Sequence, residues 1–384
     1  MHVKTAPGID NLIDNWSKYG LEGRRLGLIT NPTGISKSGA STVDLLHKHG
    51  HLAKLFAPEH GIRGEFEAGI KFDDYADEKT GVSVLSLYGE RRRPTREMLE
   101  GVDAVVFDIQ DAGARFYTYL YTMAYAMESC AKFDLPMIVL DRPNPIGGAV
   151  SGGLLDPAFR SFIGYFPITH RYGLTIGEAA RLFNEEFGIG CELTVVHMTG
   201  YSRHMYYDDT GLLWVSPSPN LPTPQAALVF PGTCIFEGTN VSEGRGTTKP
   251  FQFVGAPWID ASQLSDKANA LQLPGVYYRP QCFTPTFSKH KGEFCRGVEL
   301  HVTDREAFDP VKAGTALLYI IRDSHKEFEY LPPYDEDGVL RPMIDLNTGS
   351  DRVRLGYLSL DELFEIYAQE SARFAAMARR YHIY

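Results

Sequence analysis

The chain of 384 residues is long enough for two domains, because single cores stop growing near ~250 to 300 residues. With 43% apolar and 22% charged residues its composition is that of an ordinary globular protein and excludes a disordered or low-complexity chain. Its 38 Lys and Arg against 48 Asp and Glu give a formal charge of -10, which disfavours a nucleic-acid or anionic-membrane surface and leaves any anionic ligand to local arginines.

The first twenty residues, MHVKTAPGIDNLIDNWSKYG, contain no continuous apolar stretch of the signal-peptide kind, and nowhere do about 18 apolar residues run together as a membrane span requires. No membrane span is expected, and the sequence as written reads as cytoplasmic, or as exported if a leader has been removed. Short apolar runs then alternate with helical patterns. RRLGLITN is followed by the helical STVDLLHKHG, LAKLFAPEHG by VSVLSLYG, DAVVFDIQD by YTYLYTMAYAMESCAK, and PMIVLDRPNP ends another run before TIGEAARLFNEEFG leads to CELTVVHM. This order predicts an α/β fold, a Rossmann-like, mostly parallel sheet with helices on both faces. Ligands of such sheets sit beyond the carboxyl ends of the strands, where Asn31, Glu59, His60, Asp108, Asp111, Asp141, Arg142 and Asn144 fall.

Alternation decays after about residue 205, and SPSPNLPTPQ concentrates prolines and serines soon afterwards. Domains are therefore expected at 1–205 and 206–384, the second a smaller α+β unit. Its last helix is announced by Ser359 and Glu362 in an S-x-x-E capping pattern. The five cysteines, Cys130, Cys191, Cys234, Cys282 and Cys295, are odd in number and form no C-x-x-C pair, so they read as buried thiols.

Several site types find no support. No G-x-G-x-x-G follows the first strand, and H-E-x-x-H, paired C-x-x-C and G-x-S-x-G are missing. GTNVSEGRGTTK looks like a phosphate loop, but five residues separate Gly238 from Gly244 and Arg245 stands where lysine belongs. No cofactor and no metal is expected, and His60 reads as a hydrogen-bonding partner rather than a ligand.

The polar clusters suit a sugar. In PEHGIRGE, a proline before and glycines after fix a sharp strand exit that holds Glu59 where burial can raise its pKa toward that of a general acid. In FDIQDAGARFYTY, Asp108 and Gln110 share one strand face, Asp111 opens the loop, and Arg115 and Tyr117 follow. A carboxylate, an amide, a guanidinium and a phenol match the mixed donors and acceptors of hydroxyls. LDRPNPIGG supplies Asp141, Arg142 and Asn144 on a proline-stiffened loop, and HRYGLTIGE adds His170, Arg171 and Glu178, the last equally readable as a first-turn helix acid. SPSPNLPT and FEGTNVSEGRGTTKPF contribute Asn220, Glu237, Asn240, Glu243 and Arg245, either as a surface loop or as a clamp facing the first-half strand ends.

APEHGIRG, SLYG, FDIQDAGARFYTY, LDRPNP, YGLTIGE, SPSPNLPTP and FEGTNVSEGRGTTKPF, in this order, resemble the exo-β-N-acetylmuramidases of the NamZ type, formerly a domain of unknown function. The resemblance runs from about Gly8 through the C-terminal helix. It implies release of non-reducing-end N-acetylmuramic acid from peptidoglycan fragments in a cleft between a Rossmann-like domain and a smaller one. Glu59 takes the place of the family's proposed catalytic glutamate. The lactyl carboxylate of muramic acid would fall to Arg115, Arg142, Arg171 or Arg245. Two positions depart from the family's pattern: Gly152 where glutamate is common, and Ile70 where many relatives are acidic.

The expected reaction is glycoside hydrolysis, with Glu59 as general acid, His60 tuning it, and Asp111, then Glu178 and Glu237, as candidates for the second group. Asn31, Asp108, Gln110, Arg115, Tyr117, Asp141, Arg142, Asn144, Arg171, Asn220, Glu237, Asn240 and Arg245 are the candidate sugar contacts. Glu59, Asp111, Arg142 and Asn240 are expected around one pocket. A metal-dependent amino-sugar deacylase and a non-catalytic muropeptide-binding protein are the competing readings.

Overall fold

A computed structural model describes residues 4–49, 51–66, 70–89, 91–336 and 338–384. The apolar runs form strands β1 (Leu26–Thr30), β2 (Leu52–Ala57), β3 (Tyr75–Ala76), β4 (Ser83–Ser86), β5 (Ala104–Asp108), β6 (Met137–Leu140), the side pair β7 (Ser151–Leu154) and β8 (Thr169–Arg171), and β9 (Leu193–Val196). All but β7 and β8 join one seven-stranded sheet in the order β3-β4-β2-β1-β5-β6-β9. Every neighbouring pair in it is parallel except β3 with β4.

Alternate residues of each strand enter opposite cores, as the two-residue strand period requires. Leu28, Leu55, Val106 and Ile138 meet Ile9 and Leu12 of helix Gly8–Asp14 and Val43 and Leu46 of helix Thr42–Lys48 on one face. Ile29, Phe56, Phe107 and Val139 join the larger core on the other face, with helices Tyr119–Lys132 and Ile176–Glu185. Burying each such side chain contributes about 1.5–3 kcal/mol, and helix cover on both faces explains why the runs are apolar throughout. Parallel direction puts the ends of β1, β2, β4, β5 and β6 on one edge, so Asn31, Glu59, Tyr88, Asp111 and Asp141 emerge on the same side of the sheet.

The second unit holds strands β10 (Phe253–Ala256), β11 (Val276–Phe283) and β12 (Cys295–Val302), antiparallel in the order β10-β12-β11. Helix Pro224–Thr233 crosses helix Pro310–Ser324 at a glycine pair, where a Cβ on Gly232 would stand 1.7 Å from the Pro310 carbonyl. The final helix, Leu360–Ala378, starts with the expected Ser359–Glu362 capping box. Beyond it the chain returns to the first unit, where the Tyr384 hydroxyl donates to Asp141 Oδ2 at 2.8 Å. Cys130, Cys191, Cys234 and Cys295 are buried free thiols; Cys282 corrects the expectation, being exposed at a position of β11 that faces away from the core. Among the described residues no helix is long and apolar enough to cross a membrane.

Candidate active site

β2 ends at Ala57, and the chain turns sharply through Pro58, Glu59, His60 and Gly61. His60 and Gly61 have φ of 77° and 78°, and two successive left-handed residues reverse the backbone. The left-handed φ at Gly61 favours glycine, and a Cβ there would also meet Phe66 Cδ2 at 2.9 Å. His60 is buried, with Nδ1 3.2 Å from the Phe66 carbonyl oxygen. Arg63 fastens the far side of the turn through Asp77 (2.6 Å) and Asp44 (3.0 Å). The Arg63 hydrogen bond outweighs burial and holds Asp77 down at about 2.

The turn presents Glu59 to the neighbouring strand end, where the Tyr88 hydroxyl donates to Glu59 Oε1 at 3.0 Å. Burial, and then the charge of Glu59, push the Tyr88 hydroxyl up, so it stays protonated as a donor. The Tyr119 hydroxyl bonds the Pro217 carbonyl at 3.0 Å and approaches that of Glu59 at 3.3 Å.

Glu59 and His60 line a cleft of about 180 Å³ together with Asn220, Glu237 and Arg245 from the second half of the chain. Phe116, Tyr117, Phe230 and Phe251 line it as an edge-to-face series with ring centroids 4.7 to 5.9 Å apart. Arg245 pairs with Glu237 and, at 3.2 Å, with Glu243, which has Lys289 Nζ at 2.7 Å. Burial alone would lower the Arg245 pKa, but the two carboxylates outweigh it and raise it. Two buried polar atoms of cleft residues, Tyr117 Oη and Asn347 Oδ1, have no hydrogen-bond partner among the described residues. Such atoms are rare unless a ligand or water serves them.

Glu59, His60, Tyr117, Asn220, Glu237 and Arg245 are thus brought together. The other sequence-derived residues lie elsewhere. Asn31 is buried beside the cleft, accepting from Thr33 and donating to the Tyr119 hydroxyl. Asp108 and Arg142 form a buried ion pair at 2.5 Å, and Asp108 also accepts from Thr42. Gln110 donates to the Asp111 and Pro143 carbonyls, and Asn144 to the Leu174 carbonyl. Arg115 is fully buried and donates to the Leu346 and Asn347 carbonyls; Arg171 donates to the Ile146 carbonyl. Asp141 accepts from Gly177 N, Thr175 and Tyr384. Glu178 closes a capping box with Thr175 and pairs with Arg203. Asn240 binds the 327–329 backbone.

Asp111 is buried, is not among the residues lining the cleft, and accepts from the Tyr172 hydroxyl and from Gly113 N at 2.7 Å. Burial outweighs these hydrogen bonds and pushes it up to about 6. The expected grouping of Glu59, Asp111, Arg142 and Asn240 around one pocket is therefore not what forms: none of the last three lines the cleft, Arg142 and Asn240 bond groups inside the protein, and Asp111 is bonded there through Oδ2 while its buried Oδ1 has no partner among the described residues. Gly152 has φ 88° with His170 Nδ1 2.5 Å from where a Cβ would stand, so this backbone has no room for a glutamate there. Ile70 is half exposed. Among the described residues no group of three His, Cys, Asp or Glu side chains is placed to hold a metal ion.

Cleft residues not singled out from sequence include Thr118, Phe230, Phe251 and Asn347; nor was Tyr88, which bonds Glu59 from beside the cleft. Tyr88 had a signal, the SLYG segment directly after β4. The aromatic pair from the second half had none, since an isolated phenylalanine reads as core.

Residues 26–225 match the family described as exo-beta-N-acetylmuramidase NamZ, N-terminal, and residues 228–384 match its C-terminal counterpart. The peptidoglycan beta-N-acetylmuramidase NamZ of Bacillus subtilis is 47% identical over 99% of this chain and 92% of its own length. Two crystal structures of DUF1343 family proteins from Bacteroides fragilis are also similar. One has a TM-score of 0.90 at 36% identity over the whole of both chains; the other has 0.78 at 32% identity over 99% of each.

Proposed function

The chain belongs to the NamZ exo-β-N-acetylmuramidase family and is a glycoside hydrolase acting on N-acetylmuramic acid at peptidoglycan-fragment ends; from this premise we propose how its cleft performs the reaction. Glu59 is the general acid. It protonates the glycosidic oxygen as the bond to the anomeric carbon breaks, with the Tyr88 hydroxyl fixing its orientation. Glu237, held by Arg245 in the same cleft, stabilises the oxocarbenium-like centre or activates water. We favour Glu237 over Asp111 and Glu178 because it alone of the three lines the cleft.

The aromatic series offers rings to the sugar's apolar face. Tyr117 Oη and Asn347 Oδ1, without partners among the described residues, provide a donor and an acceptor for the acetamido group or ring hydroxyls. Five free cysteines favour a reducing compartment, so we place the reaction on fragments already taken into the cytoplasm.

The observation that carries this reading is that Glu59, Glu237 and Arg245 line one aromatic-lined cleft. The test is a chromogenic β-N-acetylmuramide. The native protein should release the chromophore, and Glu59→Gln should lose about 10²–10⁴-fold in kcat while binding is kept. Binding without release by the native protein would reject hydrolysis, and an active Gln variant would remove Glu59 from the mechanism.

A further inference from the structure

Outside the cleft, the segment Arg91–Arg92–Arg93 places three consecutive cations in a chain whose net charge is -10. They line a depression of about 760 Å³ that shares Glu59, Thr118 and Ile163 with the cleft. A second depression of about 260 Å³ shares Arg93, Tyr125 and Phe162 with the first and adds Arg160 and Arg341. Together they make a continuous groove starting at Glu59. Of the described residues lining it, six are cationic, namely Lys71, Arg91, Arg92, Arg93, Arg160 and Arg341, and Glu59 alone is acidic.

The cations are laid on aromatic rings. Arg92 stands 4.5 Å from the centroid of Phe162, Arg93 is 3.5 Å from that of Tyr125, and Arg160 is 3.5 Å from that of Tyr165. Arg93 also bonds Glu128 and Arg91 bonds Asp74, which fixes both guanidinium planes. Planar cations fixed this way recognise carboxylates with little loss of side-chain freedom.

The position of Glu59 gives the groove its direction. If it protonates the scissile oxygen, the sugar being released occupies the enclosed cleft and the remainder of the glycan extends on the other side of Glu59, which is where the groove runs. An uncharged amino sugar in that space would need no arginines. Where its peptide has been removed, the next muramic residue along the strand carries a free lactyl carboxylate. Resting on the hydrolase reading above, we propose that the groove is a leaving-group subsite for an anionic glycan strand, its arginines pairing the lactyl carboxylate of the second muramic residue. The protein then prefers oligomers to disaccharides.

The experiment compares the peptide-free disaccharide, the peptide-free tetrasaccharide and the chromogenic muramide as substrates. The tetrasaccharide should show kcat/KM about tenfold above the disaccharide at low salt, the scale of one charge-assisted pair, with the gap closing at high salt. Arg92→Ala and the exposed Arg160→Ala should each shrink the gap through KM while the chromogenic muramide is turned over as before. Equal values for both lengths in the native protein would overturn the proposal; so would a gap that survives both substitutions. If no substrate is cleaved, the hydrolase reading fails separately, and calorimetric binding of the tetrasaccharide decides the groove: salt-sensitive binding weakened by Arg92→Ala supports it, and no binding rejects it.

Discussion

Tyr88 and Arg245 each hold a carboxylate in place, by different means. Tyr88 adds a neutral donor at 3.0 Å to Glu59, so Tyr88→Phe removes one hydrogen bond and keeps the ring. Steady-state kinetics should show kcat lowered about tenfold, the upper end of the ~0.5–1.5 kcal/mol that one hydrogen bond contributes. Arg245 has a second duty: Glu243 is 2% exposed and relies on it and on Lys289. Arg245→Ala therefore leaves a buried carboxylate short of one partner, and urea denaturation should show a loss of about 3 kcal/mol in addition to lost activity. Neither distinction is visible in sequence, where both residues are polar side chains in loops.

At the scale of elements, what could be read in advance was the strand ends, and what could not was where their side chains turn. An apolar run followed by a polar exit marks a parallel strand, which is why Asn31, Glu59, Asp108, Asp111 and Asp141 all fall on one edge of the sheet. Whether such a residue faces ligand or protein depends on neighbours far away in the chain. Asp108 meets Arg142 and Thr42, and Asp141 meets Thr175, Gly177 and Tyr384, contacts set by register and packing rather than by local pattern. Glu178 was more legible than its assignment: T-x-x-E before an apolar stripe is a capping box, and the structure forms one. Glu178→Gln keeps the cap but weakens the pairing with Arg203, so it should lower stability in a denaturant titration and leave kcat per folded molecule as it was. Glu59→Gln should do the reverse, and the pair of variants separates a helix-capping carboxylate from a catalytic one.

The whole molecule joins its two units through polar groups as well as through the shared core. Arg115, from the first unit, reaches the Leu346 and Asn347 carbonyls of the second, and so fixes the backbone that presents Asn347 to the cleft. Tyr384 brings the end of the chain back to Asp141 beneath the sheet edge. These buried contacts carry a pH dependence. Burial pushes Asp111 up to about 6 and Asp141 to about 7, from an ordinary 3.8. Between about pH 4 and 7 the folded protein keeps protons that the unfolded chain has released, so both groups make stability fall as pH rises through that window. Asp77, held at about 2 by Arg63, acts oppositely, contributing stability that is lost as pH falls below about 4. Asp111→Asn removes one titrating group from the first window while keeping an oxygen for Tyr172 and Gly113. Calorimetry across pH 4 to 6 should therefore give a shallower fall of the thermal midpoint in this variant than in the native protein, whatever the offset between them. Parallel curves would mean that Asp111 gives up its proton in the folded state as readily as in the unfolded one.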